Sequence, residues 1–450
     1  MDPTQRIDPN KTLLTHMQNL QDPLKTQAMT APNFGQGAGM TAFGGKALNI
    51  EIIAGRKATM ANGPAREQFL LELRAGGEAS GGVRTPLNLG LVIDRSGSME
   101  GPPLEYVKQA CAHVVDMLSP DDVLSIVTFE QMVDVLMPPQ RVTNKQMIKE
   151  GIAQIQAGNT TNLHEGMRVG FSQVIAGEQP GRATRLVVLT DGDPTEGIKD
   201  FQSIVNHTAE IKSRGVTCTF LGFGPDYNEE LLAAMAKRSG GNYYYIPRPE
   251  MIPEVFRMEM EKLMTTLARN IRLNLKLSRW VTMRGPQQAD AGDVEIAMAD
   301  MERGSTIQQV IDLEFANHPL GHYRVAGGRL TYDDAVSGQN ESVNVDLVME
   351  FSSDAAAYSA PVDSRVDQAA QIQVASRAVE KTIMGLKTQQ ISAMGAVQEL
   401  QKTQALLLSQ GRTQDAQEVT MALRALQSGD SGAAEKTLMG TMVNLDQGKK

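Results

Sequence analysis

The chain has 450 residues, 41% of them hydrophobic and 21% charged, with a formal net charge of −9. That length accommodates about two to four domains, each with its own core. The acidic balance excludes a general nucleic-acid binder, which needs a basic stripe to neutralise phosphates, and no apolar run approaches the ~18 residues of a membrane span.

Residues 1–46 are polar and rich in Thr, Gln, Asn, Pro and Gly, with runs such as Phe34-Gly35-Gln36-Gly37 that bury too little to fold alone. They are expected to form a flexible arm, with one short helix near Lys11–Leu20. The start of the chain lacks the basic beginning and apolar centre of a signal peptide, so a cytoplasmic location is expected. Residues 47–84 look β-rich. Leu48-Asn49-Ile50-Glu51-Ile52 alternates apolar and polar, as does part of Gln68–Leu73. Two strands are too few for a stable unit, so they need partners from elsewhere in the chain.

Residues 85–268 alternate strands and helices. Leu89, Leu91, Val92 and Ile93 form an apolar run of the kind buried on both faces of a parallel sheet. Helices are expected at Leu104–Leu118, Lys145–Ile155, Leu163–Ile175, Ile198–Arg214, Glu229–Arg238 and Val255–Ala268. Strands are expected at Val123–Phe129, Met132–Leu136 (a shorter edge strand), Arg185–Thr190, Val216–Leu221 and Tyr243–Ile246. This alternation indicates an α/β unit with a doubly wound, mostly parallel sheet. Cys111 falls on a helix and Cys218 on a strand, so both read as small buried hydrophobes, compatible with a reducing compartment. The 25 methionines read as adaptable core filler.

Residues 269–355 return to β, with clean alternation in Ile271–Leu277. These strands are expected to pair with those of 47–84 in one β-sandwich into which the α/β unit is inserted. Residues 363–446 read as three or four short helices. Val379, Ile383 and Leu386, then Met394, Val397 and Leu400, each mark one apolar face. The expected role is a helical cap packed on the sandwich or on its own faces. The broken heptads do not support a long coiled coil.

The chemistry gathers where the apolar strand stops. Asp94, Ser96 and Ser98 follow at spacing two, with Gly97 allowing the tight turn between the serines. A carboxylate and two hydroxyls at the carboxyl end of a central strand stand where open α/β sheets place ligands. Oxygen donors with room for water suit a small hard cation such as Mg2+. Asp94-x-Ser96-x-Ser98 resembles the metal-ion-dependent adhesion site of von Willebrand factor type A domains. Two more stretches strengthen the resemblance. Gly158-Asn159-Thr160-Thr161-Asn162-Leu163 offers the family's threonine, with Thr161 the better match and Thr160 the alternative. Leu186–Leu189 followed by Thr190-Asp191-Gly192 has the form of the turn that supplies its second aspartate. The flanking β-regions resemble bacterial members related to the calcium-activated chloride channel and inter-alpha-trypsin inhibitor heavy-chain branches.

The resemblance implies Asp94, Ser96, Ser98, Thr161 and Asp191 as ligands of a divalent cation, Mg2+ first and Mn2+ or Ca2+ as alternatives. It implies an open coordination position filled by an Asp or Glu of a partner protein. Family members inside bacteria often work beside AAA-type ATPases, which makes these a partner class; another copy of the chain is a second. Catalysis is not expected: there is no phosphate-cradling Gly-x-x-x-x-Gly-Lys-Ser/Thr string and no Gly-x-Ser-x-Gly elbow. His164 is the nearest histidine in sequence to the site and reads as a satisfied or solvent-facing helix residue. His318 and His322 straddle Pro319 and Gly321, so they do not share a helical face. Glu100, Glu130, Asp193 and Glu196 read mainly as solvated loop carboxylates, and Arg95 is assigned no role. A self-associating structural protein and a metal-dependent hydrolase are the competing functions.

Overall fold

The structure is a computed structural model that describes residues 40–44, 47–76, 85–179, 181–285, 288–335 and 337–449. Among the described residues, the first elements are four strands, β1 (Met40–Gly44), β2 (Leu48–Ala54), β3 (Ala58–Met60) and β4 (Ala65–Ala75). An α/β unit follows: β5 (Leu87–Asp94), α1 (Pro102–Met117), β6 (Val123–Phe129), β7 (Val133–Arg141), α2 (Lys145–Ala153), α3 (Leu163–Ala176), β8 (Ala183–Thr190), α4 (Phe201–Ser213), β9 (Thr217–Phe223), α5 (Glu229–Ser239), β10 (Tyr243–Ile246) and α6 (Ile252–Met264). Six strands come next, β11 (Thr266–Arg284), β12 (Ala289–Ala297), β13 (Met301–Glu302), β14 (Thr306–Phe315), β15 (Gly321–Asp334) and β16 (Asn340–Ser352). Helices complete the chain: α7 (Ala355–Tyr358), α8 (Ser364–Lys387), α9 (Ala393–Ser409), α10 (Thr413–Gln427) and α11 (Ser431–Asp446).

The α/β sheet has the order β10-β9-β8-β5-β6-β7 and is parallel except for the β7 edge. β5 lies between β8 and β6, and all eight of its residues are buried. Its alternate side chains serve opposite faces. Val92 joins the core under α3, α4 and α5, whereas Leu91 and Ile93 join the core under α1, α2 and α6. Helix α3 comes unusually close to the sheet because Gly166 and Gly170 present no side chain there. A Cβ on Gly170 would lie 2.3 Å from Val92 Cγ2, and one on Gly166 would lie 2.7 Å from Phe129 Cγ. Polar side chains start the helices after the loops: Asn162, Asp200 and Asn228 accept a backbone N–H at the first turns of α3, α4 and α5.

The second sheet follows the path β1-β2-β4-β14-β11-β15-β16-β3, with β12 and β13 also paired to β11. The 19-residue β11 makes the corner. Its Ala268–Leu277 stretch pairs with β15, and Val281–Arg284 pairs with β14. One strand therefore serves both limbs of the sheet, a recognised way to build a sandwich. Side chains from both limbs, including Phe69, Leu273, Phe315, Val325 and Phe351, bury into one cluster. β4 pairs with β14 from Ala65↔Phe315 to Arg74↔Thr306, so the strands before and after the α/β unit lie side by side.

Several boundaries differ from the sequence expectation. Residues 40–44, expected in the arm, form β1 against β2; residues 1–39 and 45–46, with the short helix expected near Lys11–Leu20, lie outside the described residues. Helix α6 stops at Met264 rather than Ala268. Thr265 and Thr266 turn their hydroxyls back to the Glu261 and Lys262 carbonyls, and the chain goes straight into β11. β7 runs to Arg141, longer than expected. In the C-terminal region Val379, Ile383 and Leu400 are buried, but Met394 is 75% exposed and belongs to no apolar seam.

The C-terminal helices pack on more than the sandwich. Val366 and Ala369 of α8 cover Leu70 and Val310 of the sandwich. Ile372, Val379, Val419 and Leu438 share a continuous core with Leu231, Met235 and Tyr243 of the α/β unit. The sandwich meets the α/β unit at the amino ends of its strands, the edge opposite Asp94. There Arg185 pairs with Asp300, which also accepts from Thr217 Oγ1 at 3.3 Å and the Asn270 N–H at 3.1 Å.

Candidate metal centre

Three loops at the carboxyl edge of the α/β sheet build the site. The first leaves β5. Asp94 is the last strand residue and is fully buried. Its Oδ1 accepts the Ser96 N–H at 2.8 Å, which curls the loop around the carboxylate. Its Oδ2 accepts the Thr190 hydroxyl at 2.6 Å, tying the first loop to the end of β8. The third loop brings Asp191, whose Oδ1 accepts from Ser98 Oγ at 2.8 Å and from Ser96 Oγ at 3.3 Å. The two serine oxygens are 3.2 Å apart. Ser98 is exposed at the mouth, with Ser96, Asp191 and Asp94 buried behind it.

The second loop is stitched to both others by backbone. The Gly158 N–H donates to the Arg95 carbonyl at 2.6 Å, and the Gly97 N–H to the Asn159 carbonyl at 3.1 Å. The Thr161 carbonyl accepts the Thr195 and Glu196 N–H groups at 3.0 and 3.2 Å, and the Thr161 N–H donates to Thr195 Oγ1 at 2.8 Å. Thr161 Oγ1 stands beside the third loop: a Cβ on Gly192 would be 3.4 Å from it. The neighbouring Thr160 hydroxyl is buried without a hydrogen-bond partner.

The donors thus gathered are two carboxylates and hydroxyls, all oxygen, which is the set a hard divalent cation prefers. The electrostatics agree. Burial pushes the Asp94 carboxyl up to about 7, against the pull of the Thr190 hydroxyl and with the Asp191 charge adding to the rise. Burial also raises Asp191, opposed by Ser98 and Ser96 and reinforced by the charge of Asp226. Neighbouring buried carboxylates disfavour each other's ionisation, and a cation held by these residues would offset that penalty. Asp94, Ser96, Ser98, Thr161 and Asp191 therefore fit such an ion.

Other residues depart from their sequence reading. Glu130 is a brace rather than a solvated carboxylate. It is 8% exposed, and accepts the Met132 N–H at 3.1 Å and the Asn159 N–H at 3.4 Å. Arg95 has a structural part, donating to Asp134 Oδ2 at 2.8 Å with Glu130 Oε1 at 3.6 Å. His318 stacks on Trp280, and His322 faces Glu350, so they serve separate contacts. Thr190 and Thr195 were given no part by the sequence. Thr190 precedes the aspartate in its turn, which is its only local signal; Thr195 finds its partner through tertiary structure alone. Asp226, from the loop after β9, is a further carboxylate facing Asp191.

The model of the von Willebrand factor type A domain family matches residues 88–257. The chain carries a von Willebrand factor type A domain. It is 30% identical over 275 residues to protein sll0103 of Synechocystis, covering 57% of this chain and 64% of that one. It is 29% identical over 198 residues to YfbK of Escherichia coli, covering 43% of this chain and 34% of that protein. Human inter-alpha-trypsin inhibitor heavy chain H4 is 31% identical over 164 residues, 35% of this chain and 18% of its own length. The chain thus spans less than two thirds of these relatives. Two solved structures share most of the fold. A von Willebrand factor type A protein from Catenulispora acidiphila has a TM-score of 0.66 at 17% identity, covering 84% of this chain and 91% of that one. The ArnB paralog VWA2 from Sulfolobus acidocaldarius has a TM-score of 0.59 at 17% identity, covering 88% and 98%. Both alignments extend well beyond the type A domain, so the fold outside it is shared as well.

Proposed function

We propose that this chain is a non-catalytic, metal-dependent protein-interaction module of the cytoplasm. Asp94, Ser96, Ser98, Thr161 and Asp191 would hold a divalent cation, Mg2+ first and Mn2+ or Ca2+ as alternatives. The cation supplies direct attraction for an Asp or Glu side chain of a partner protein. The observation that carries the reading is the meeting of Ser96, Ser98 and Asp191 within 2.8–3.3 Å at the mouth above a buried Asp94. This chain's part is to hold those oxygens in place before the partner arrives, so little ordering remains to be done on binding. Ser98 is the residue nearest solvent, and the loops around it select the partner. An AAA-type ATPase is the proposed partner class, and a second copy of the chain is the alternative. Among the described residues no helix is long and apolar enough to cross a membrane.

The test is affinity capture from native lysate with Mg2+ against a chelator, in wild type and Asp94→Ala, alongside the native mass of the purified protein. Partners should be retained only by wild type with Mg2+. Capture indifferent to both chelator and Asp94→Ala would overturn it. A chelator-sensitive doubling of native mass would select self-association. Phosphatase or nucleotidase turnover lost in Asp94→Ala would replace the reading by a hydrolase.

A further inference from the structure

On the helices that follow the Thr161 and Asp191 loops, a second pair of donors of different chemistry comes together. His164 is the second residue of α3, directly after the Thr161 loop, and His207 lies midway along α4, after the Asp191 loop. Their Nε2 and Nδ1 atoms stand 3.1 Å apart, with ring centroids at 4.8 Å and planes tilted by 49°. Phe171 walls the pair, edge-on to His207 at 6.5 Å.

Two imidazole nitrogens bound to Zn2+ at about 2.0–2.1 Å stand roughly 3.3 Å apart at a tetrahedral angle and about 2.9 Å apart at a right angle. The observed separation falls between these values. We infer that His164 Nε2 and His207 Nδ1 form a second metal site, selective for a borderline dication such as Zn2+ and distinct from the oxygen site that suits Mg2+. The two rings are the protein's contribution and water completes the shell, since among the described residues no group of three or more His, Cys, Asp or Glu is arranged to hold an ion. The two nitrogens share a hydrogen bond as they stand, so a metal would take the place of the proton between them and release it. The charged groups facing them are mixed. Glu165 is held by Arg168 through hydrogen bonds of 2.6 and 2.7 Å, and Glu210 lies one turn beyond His207. A metal here ties the first turn of α3 to α4, and hence the loop of Thr161 to the loop of Asp191.

The test is zinc titration against a chromophoric chelator, in Asp94→Ala to remove the oxygen site and in wild type saturated with Mg2+. One zinc per chain is expected in both, insensitive to added Mg2+. His207→Ala and His164→Gln should each weaken it by at least about tenfold, with unchanged far-ultraviolet circular dichroism. No stoichiometric zinc in either preparation, or zinc affinity unmoved by both histidine substitutions, would refute the site. Failure of Mg2+-dependent partner capture would leave this outcome unaffected.

Discussion

Lys436 offers a quantitative check on how the C-terminal helices are attached to the type A domain. It lies on α11 and its side chain is 7% exposed. Its Nζ donates to Glu229 Oε2 at 2.8 Å and to the Tyr227 carbonyl at 3.1 Å, and sits 4.6 Å from the centroid of the Tyr227 ring. Breaking a buried ion pair by removing one partner costs about 3–5 kcal/mol, mainly because the other charge is left uncompensated. Here Glu229 keeps a second cation, Lys387 of α8, at 2.6 Å, so Lys436→Met should lose about 2–3 kcal/mol. Lys387 is more exposed, at 23%, and its removal leaves the buried lysine in place, so Lys387→Met should lose about 1 kcal/mol or less. The double variant Lys436→Met/Glu229→Gln removes both buried charges and should lose less than Lys436→Met alone. Denaturant midpoints followed by far-ultraviolet circular dichroism, with hydrogen exchange on α11 as a local readout, give all three values. A Lys436→Met variant within about 0.5 kcal/mol of wild type, or a Lys387→Met variant the more damaged of the two, would refute this attachment.

Cation binding predicts a linked stabilisation: Mg2+ at a hundred times its dissociation constant should add about 2.7 kcal/mol to wild type and nothing to Asp94→Ala, read as thermal midpoints with and without chelator. At the junction between the type A domain and the sandwich, burial alone would raise Asp300, but Arg185, Lys212 and the Asn270 N–H outweigh it and hold the carboxyl at about 2. A folded value below the ordinary 3.8 stabilises above pH 4 and is lost on descent toward pH 2, which removes about 2 kcal/mol. Acid unfolding of Asp300→Asn should lack this component, and an identical acid profile in wild type and variant would contradict the assignment. Gly170→Ala improves helix propensity yet drives a Cβ to 2.3 Å from Val92, so it should destabilise by about 1–3 kcal/mol in a urea melt; a stabilised variant would show that α3 can move away from β5.

The local pattern of the chain determined the elements whose environment is uniform along their length. β5 is buried throughout, so its apolar run is unambiguous, and Asp94 is where that run ends. Asp94, Ser96 and Ser98 could be grouped in advance because they lie within five consecutive residues. Thr161 and Asp191 were singled out only through the resemblance to type A domains, and only tertiary structure joins their loops, through Thr190, Thr195 and the Gly97–Asn159 contact. The pattern failed where an element changes environment along its length. α6 passes directly into β11, and no break in hydrophobicity marks the passage at Thr265. It failed as well where a partner is remote in sequence. Arg185 with Asp300, Lys436 with Glu229 and His164 with His207 are pairs made by folding alone. A side chain's periodicity reports that it faces inward, but a charge or a ring nitrogen acquires its role from the group placed opposite it, and that placement exists only once the sheet, the sandwich and the helices have packed together.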